Sequence, residues 1–356
     1  MTPRPILLRP DNFTRPQRTP WGGTRLLREF KADALGTASP PAIVGESWEL
    51  SATPELPSAT LYGESLGALL ARDPVAMLGA EARLGRTSTG LLVKWLDAAE
   101  DLSLQIHPAD DYRGLAPDQS GKPECWYVVA HAPGAGLYLG FQPGTDEARV
   151  RAVLEAGDDL SACMVFVPVA RGDVIAVEPG MPHAIGRGVT LIEPQVVLPA
   201  RRGVTYRYWD WNRRYDADGR PDAGGKPRAL DLEHALAVTD WAQATDPTTL
   251  ARCRAAGGWP AEDTNARVEP LCGPEPESPV RSPHLRMARA LGDGQVHLPD
   301  WDVLRSLTVV EGSLTLLGPG FELPLNRGHT AAVPAVCGAL RIRLAQAHAV
   351  IAGLAL

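Results

Sequence analysis

Apolar and polar residues alternate with a period of two through much of the chain. In LSLQIHPADDY, residues 102–112, Leu102, Leu104 and Ile106 fall on one side of an extended strand, and Ser103, Gln105 and His107 fall on the other. The same alternation, or a short run rich in Val, Leu, Ile, Trp and Tyr, predicts strands over 45–50, 91–96, 102–107, 124–130, 161–167, 173–177, 189–195 and 205–210. The 35 glycines and 33 prolines are spread between these runs as turns rather than gathered in one segment. Helical spacing shows in two places, SLGALLARDPVAMLGAEARL over 65–84, interrupted by Pro74, and DLEHALAVT over 231–239. The pattern is that of a mainly β protein with small helical insertions.

The chain has 356 residues, enough for roughly two domains of about 100–200 residues each. A loop dense in Gly, Pro and Asp, DADGRPDAGGKP, covers 216–227, and a second polar, Pro-rich passage covers 273–283, so a domain transition is expected between them. A weak internal repeat relates the two parts. RGDVIAVEPGMPHA (171–184) and RGHTAAVPAVCGAL (327–340) both lead from Arg-Gly into a small and apolar strand. Eleven residues after Gly172 stands His183, whereas eleven after Gly328 stands Ala339, so chemistry carried by the first copy is absent from the second.

Composition removes several classes of function. A hydrophobic fraction of 44% and a charged fraction of 22% are globular values, and no apolar run approaches the ~20 residues of a membrane span. The N-terminal segment carries no sustained apolar stretch with a cleavage site, so secretion is not expected. Five well separated cysteines without a C-x-x-C pair argue against a disulfide framework or a cysteine zinc site, and point to a reduced, cytoplasmic setting. The net charge of −7 comes with no basic stripe, which excludes nucleic acid as the partner.

Candidate chemistry gathers on Gln105, His107, Glu124 and His183. Gln105 and His107 share a strand face. GKPECWYV, residues 121–128, places Lys122, Glu124 and Trp126 on one face of the next strand, and His183 follows the glycine turn of EPGMPHAIG, aimed from a loop or strand edge toward the same interior. A histidine alone is more often a hydrogen-bonded structural residue than a ligand. Two imidazoles, a carboxylate and an amide oxygen together make a nitrogen and oxygen shell for a divalent ion. Zinc is the natural choice, and iron and manganese accept the same ligands.

WGGTRLLREF, GESWELSA, LLVKWLDAAEDLSLQIHPAD, GKPECWYVV, HAIGRGVTLIEPQ and TYRYWDW stand in the order seen in type I mannose-6-phosphate isomerases, and residues 21–212 resemble the shorter bacterial form of that zinc-dependent cupin family. The resemblance implies two cupin, or jelly-roll, barrels with small helical insertions. A catalytic cupin would cover 1–225, with the insertion near 65–84; 226–265 would form a helical and loop connection; 266–356 would be a second, degenerate cupin without metal ligands. It implies one zinc ion per chain on Gln105, His107, Glu124 and His183, and interconversion of mannose 6-phosphate and fructose 6-phosphate through a cis-enediol. Lys122, facing the same interior as Glu124, and Arg207, matching the family's active-site arginine, are expected to hold the substrate, with Ser103 beside them. Glu193 is expected either as the catalytic base or as a carboxylate orienting a metal-bound histidine, with His183 or a metal-bound water as the other candidates for the base. Glu46, Trp48 and Trp21 are expected in the pocket wall.

Two departures from the family stand out. Glu178 occupies the first place of the P-x-G-x-x-H motif, with the proline moved to Pro179, and PQVVLPARRGVTY, residues 194–206, is longer than usual and brings Arg201 and Arg202 near the expected pocket. Fold resemblance alone leaves open a different metal-cupin enzyme, such as an oxygenase or an isomerase of another sugar, and a non-catalytic sugar-phosphate-binding cupin. A small sugar phosphate is the expected partner, with no nucleic acid or membrane, in a monomer or homodimer.

Overall fold

A six-stranded antiparallel sheet in the middle of the molecule is buried on both faces. The computed structural model describes residues 4–37, 40–259 and 264–356. In the central sheet the strands run in the order Arg254–Ala255, Val174–Val177, Glu124–His131, Val189–Val196, Leu91–Asp97 and Glu46–Leu50. Leu91, Val93 and Trp95 point into one core while Leu92, Lys94 and Leu96 point to the other side. Double burial explains why LLVKWLD is a near-continuous apolar run with no polar face to mark it.

Against one face of this sheet lies a five-stranded sheet, ordered Tyr206–Trp209, Leu104–Ile106, His183–Ile185, Gly136–Phe141 and Met164–Pro168. Leu137, Leu139 and Ile185 of this sheet, on the same face as Gln105 and His183, share a core with Trp126, Val128, Ile175, Val177 and Leu191 of the central one, which makes a sandwich. Against the other face packs an eight-stranded sheet that holds every described strand beyond residue 267 and is built on three long strands, Leu285–His297, Arg305–Gly318 and Arg341–Leu354. Met287, Leu304, Val310, Val350 and Ala352 join Val93, Trp95, Cys125 and Tyr127 in the core between the halves, and Ala290, Leu307, Val309, Leu314 and Ile351 line a separate core on the far side. The fold is mainly β with few helices, as the pattern predicts, and its sheets face one another without closing into barrels. Among the described residues no helix is long and apolar enough to cross a membrane.

Several elements differ in detail from the sequence reading. The 65–84 helix is three short ones, Leu66–Arg72, Pro74–Leu78 and Ala80–Arg83, because Pro74 ends the first and opens the second, with Asp73 accepting from the Ala76 N–H. The helix at 231–239 runs over Leu232–Val238. The strand expected at 161–167 begins later, as Met164–Pro168, since Asp159 caps a 3-10 turn over Leu160–Cys163. The strand Gly136–Phe141 and the helix Glu147–Glu155 have no counterpart in the sequence reading. At the N-terminus, Ile6–Leu7 pairs with Ala331–Ala332 and so joins the C-terminal sheet.

The repeated Arg-Gly entries adopt the same local structure. Gly172 and Gly328 have φ of 90° and 82°, and each leads within two residues into a four-residue strand, Val174–Val177 and Thr330–Val333.

Polar clusters also bridge the halves. Tyr127 Oη lies 2.8 Å from His348 Nε2, and Arg289 Nη1 donates to the same hydroxyl at 3.2 Å, so the tyrosine proton is directed to the imidazole. Burial, with Arg289 and Arg171 nearby, pushes His348 down to about 3. In the unfolded chain it regains its ordinary value near 6.5, so between these values the unfolded state binds the extra proton and stability falls as pH falls. This one group is expected to remove about 3 kcal/mol between pH 7 and pH 4. Urea unfolding at both pH values checks it: the His348→Gln variant should lose correspondingly less than wild type, and an equal loss in the two proteins would assign the acid sensitivity elsewhere.

Candidate metal centre

The candidate ligands are placed by strand register. In the five-stranded sheet Gln105 pairs directly with His183 on one side and with Arg207 on the other, which sets the three side chains in a row across three strands. In the facing central sheet Glu124 pairs with Gln195, and Glu193 pairs with Lys94. The two rows meet across the sandwich. His107 follows the end of its strand, and its carbonyl accepts from the Gly180 N–H at 3.0 Å. Gly180, at φ 85°, makes the turn that delivers His183. His183 begins an interior strand of its sheet rather than standing in a loop or at an edge.

Ligand-type atoms of His107, Glu124 and His183 all lie within 4.8 Å of one another. His107 Nε2 is 3.2 Å and His183 Nε2 is 3.9 Å from the Glu124 carboxylate, and the Gln105 amide reaches to 3.4 Å from His183 Nε2. A half-turn of that amide exchanges its nitrogen for its oxygen. The ring tautomers follow from the other nitrogens: His107 Nδ1 donates to the Val204 carbonyl at 2.9 Å and His183 Nδ1 to the Met181 carbonyl at 2.8 Å. Each neutral ring therefore turns the lone pair of Nε2 toward a carboxylate, and His107 Nε2 is buried with no hydrogen-bond partner. Burial holds both imidazoles below their ordinary value, His183 down to about 3, so protons do not fill the gap. Lone pairs and a carboxylate converging on one buried point fit a divalent cation.

Around this trio runs a connected polar layer. Burial works to raise the Glu124 carboxyl, yet Lys122 at 2.7 Å and the two histidines hold it well below the usual range. Gln195 Nε2 donates to Glu124 at 2.5 Å and to Glu193 at 2.6 Å, and Trp126 Nε1 donates to Glu193 at 2.9 Å. Burial and the nearby Glu124 charge push Glu193 up to about 8. Lys94 Nζ stands 3.7 Å from Glu193 and 3.8 Å from Glu46, which in turn accepts from Trp48 Nε1 at 2.8 Å.

A cavity of about 120 Å³ opens beside the trio. Gln105 lines it, with Ser103, Lys122, Glu193 and Arg207 as expected, and with Trp21, Glu46 and Trp48 in its wall. His107, Glu124 and His183 are not among the residues on its surface. Arg207 contributes a buried Nε with no hydrogen-bond partner. Of the two arginines in the long loop, Arg202 lines the cavity while Arg201 donates to the Gln119 carbonyl. Lys94, Arg18 and Arg228 also line it and were not singled out from the sequence. For Lys94 a signal existed, a lone charge within an apolar strand.

Two facing sheets that enclose a histidine, glutamate and histidine group define a cupin-type fold with a candidate metal centre. No family model matches the chain. It is 34% identical over 223 residues to a mannose-6-phosphate isomerase of Streptococcus mutans, which covers 61% of this chain and 63%, less than two thirds, of that protein. It is 27% identical over 327 residues to the probable mannose-6-phosphate isomerase GmuF of Bacillus subtilis, covering 90% and 92% of the two chains. The crystal structure of a Bacillus subtilis mannose 6-phosphate isomerase superposes with a TM-score of 0.74 at 24% identity over 99% of this chain and all of that one, a likeness of fold. In sequence and in fold the chain is thus similar to mannose-6-phosphate isomerases.

Proposed function

We propose that the protein is an aldose-ketose isomerase that interconverts mannose 6-phosphate and fructose 6-phosphate by moving a proton between C1 and C2. The observation that carries this reading is the convergence of the His107, Glu124 and His183 lone pairs beside a cavity lined by Lys94, Lys122 and Arg207. Relatives named mannose-6-phosphate isomerase support the choice of substrate.

Gln105, His107, Glu124 and His183 would hold one zinc ion, the metal best matched to two imidazoles and a carboxylate. Bound there, zinc supplies Lewis acidity for charge that grows on the substrate carbonyl oxygen. The chain's own groups do the remaining work. Lys122, next to Glu124, places an ammonium at the reacting end, and Arg207 offers a guanidinium whose Nε has no protein partner. Glu193 carries the proton: its carboxyl lines the cavity, burial raises its hold on a proton, and Lys94 stabilises it once ionised. Trp21, Trp48, Leu92 and Leu96 wall the cavity against water.

On the same reading, catalysis belongs to residues 1–225, 226–265 connect, and 266–356 form a degenerate partner whose counterpart of His183 is Ala339. A cytoplasmic setting suits Cys125, Cys163, Cys253 and Cys272, none of which is in a disulfide.

A coupled assay for fructose 6-phosphate, run with metal analysis on the same sample, tests the proposal. Chelation is expected to abolish turnover and added zinc to restore it. Full turnover by metal-free protein, or no turnover at full metal occupancy, would refute it.

A further inference from the structure

A hexose 6-phosphate has two ends that need separate places. When its open chain is extended, six bonds separate C2 from phosphorus, roughly 7 Å at ordinary bond lengths. Given the isomerase reading above, the reacting end lies by the metal centre, where Lys122 and Arg207 are placed. Lys122 is 2.7 Å from Glu124 with its side chain only 11% exposed, and Arg207 pairs directly with Gln105. With both assigned to the reacting end, the phosphate needs other donors.

Of the arginines that line the cavity, Arg18 and Arg202 are the two exposed ones, with side chains 49% and 52% exposed. Each has one exposed carboxylate neighbour, Glu55 at 3.2 Å for Arg18 and Asp118 at 3.5 Å for Arg202. Exposed pairs of this kind contribute little, so a dianionic phosphate displaces them readily and gains charge-assisted hydrogen bonds.

Both arginines are pre-positioned. The Arg18 guanidinium lies over the Trp48 ring at 5.1 Å, and its carbonyl accepts from Arg228 Nη2 at 2.9 Å. Arg202 belongs to a two-residue parallel pairing with Gln119–Ser120, in the longer loop that departs from the family pattern. Beside it, Gly203 lets the loop pass Lys122, since a Cβ there would stand 2.8 Å from Lys122 Cδ.

We propose that Arg18 and Arg202 together clamp the substrate phosphate at the cavity mouth and so set the preference for a phosphorylated sugar. The clamp joins the segment before Trp21 to the 194–206 loop across the opening.

The test uses Arg18→Gln, Arg202→Gln and the double variant of the full-length, metal-loaded protein, with inorganic phosphate as a competitive inhibitor. Each single change is expected to raise KM for mannose 6-phosphate and the inhibition constant of phosphate about tenfold, and the double about a hundredfold, the effect falling on KM rather than kcat. Lysine in place of either arginine should recover part of the loss. A double variant with unchanged KM and unchanged phosphate inhibition overturns the proposal, as does a loss confined to kcat. If the wild type turns over no mannose 6-phosphate, it is the isomerase reading that fails. Direct binding of inorganic phosphate then decides the clamp: binding lost in the double variant supports it, and equal binding refutes it.

Discussion

Replacing His183 with alanine is expected to strip the metal from the protein and lower kcat/KM for mannose 6-phosphate by at least about 10³-fold, the rate equivalent of several kcal/mol of lost charge stabilisation. His183 is fully buried, its Nδ1 is fixed by the Met181 carbonyl, and Nε2 faces Glu124. Alanine removes one of two imidazoles and leaves a small void where a ligand stood. The carboxylate keeps Lys122 at 2.7 Å, so the remaining charges stay balanced without the ion. The apolar neighbours are untouched, and the variant should fold with a wild-type circular dichroism spectrum. Metal analysis together with the coupled assay checks the result; full metal content with full turnover would remove His183 from the centre.

Lys31→Met is expected to give the largest loss of stability, about 3–5 kcal/mol, the usual cost of leaving one half of a buried ion pair alone. Lys31 and Glu49 have side chains 0% and 1% exposed, with Nζ 2.6 Å from the carboxylate and 3.0 Å from the Gly328 carbonyl. Ser47 and Thr330 donate their hydroxyls to the same carboxylate at 2.6 and 2.7 Å. One buried charge pair thus ties the helical turn at Leu26–Lys31, the strand Glu46–Leu50 and the C-terminal sheet together. Methionine fills the volume of the lysine stem but leaves Glu49 charged in the core with two hydroxyls. Chemical denaturation measures the loss. The double variant Lys31→Met, Glu49→Leu should recover most of it, because neither charge then remains; a double variant as unstable as the single would place the cost in packing instead.

The ligand candidates were legible in the sequence for a definite reason. Gln105 and Glu124 carry polar groups in strands whose other members are apolar, and a period of two assigns their side without coordinates. Lys94 escaped the same reading because its strand is buried on both faces, and Leu92 and Leu96 share its side. Gln195 lies in an eight-residue strand that is buried almost throughout, so its link to both Glu124 and Glu193 left no mark in the pattern. The short strand Gly136–Phe141 was lost among turn residues, although it flanks His183 directly.

By itself the sequence determined which donors exist and their side on each strand. Only the tertiary structure decided which rows face each other and that Arg18 and Arg202 line the cavity. The physical reason is that a strand's own residues set its pleat, whereas the neighbour it pairs with and the sheet it faces are chosen by burial summed over distant segments. Gln105 and His183 stand 78 residues apart and meet only because their strands pair side by side in the sheet that covers this core.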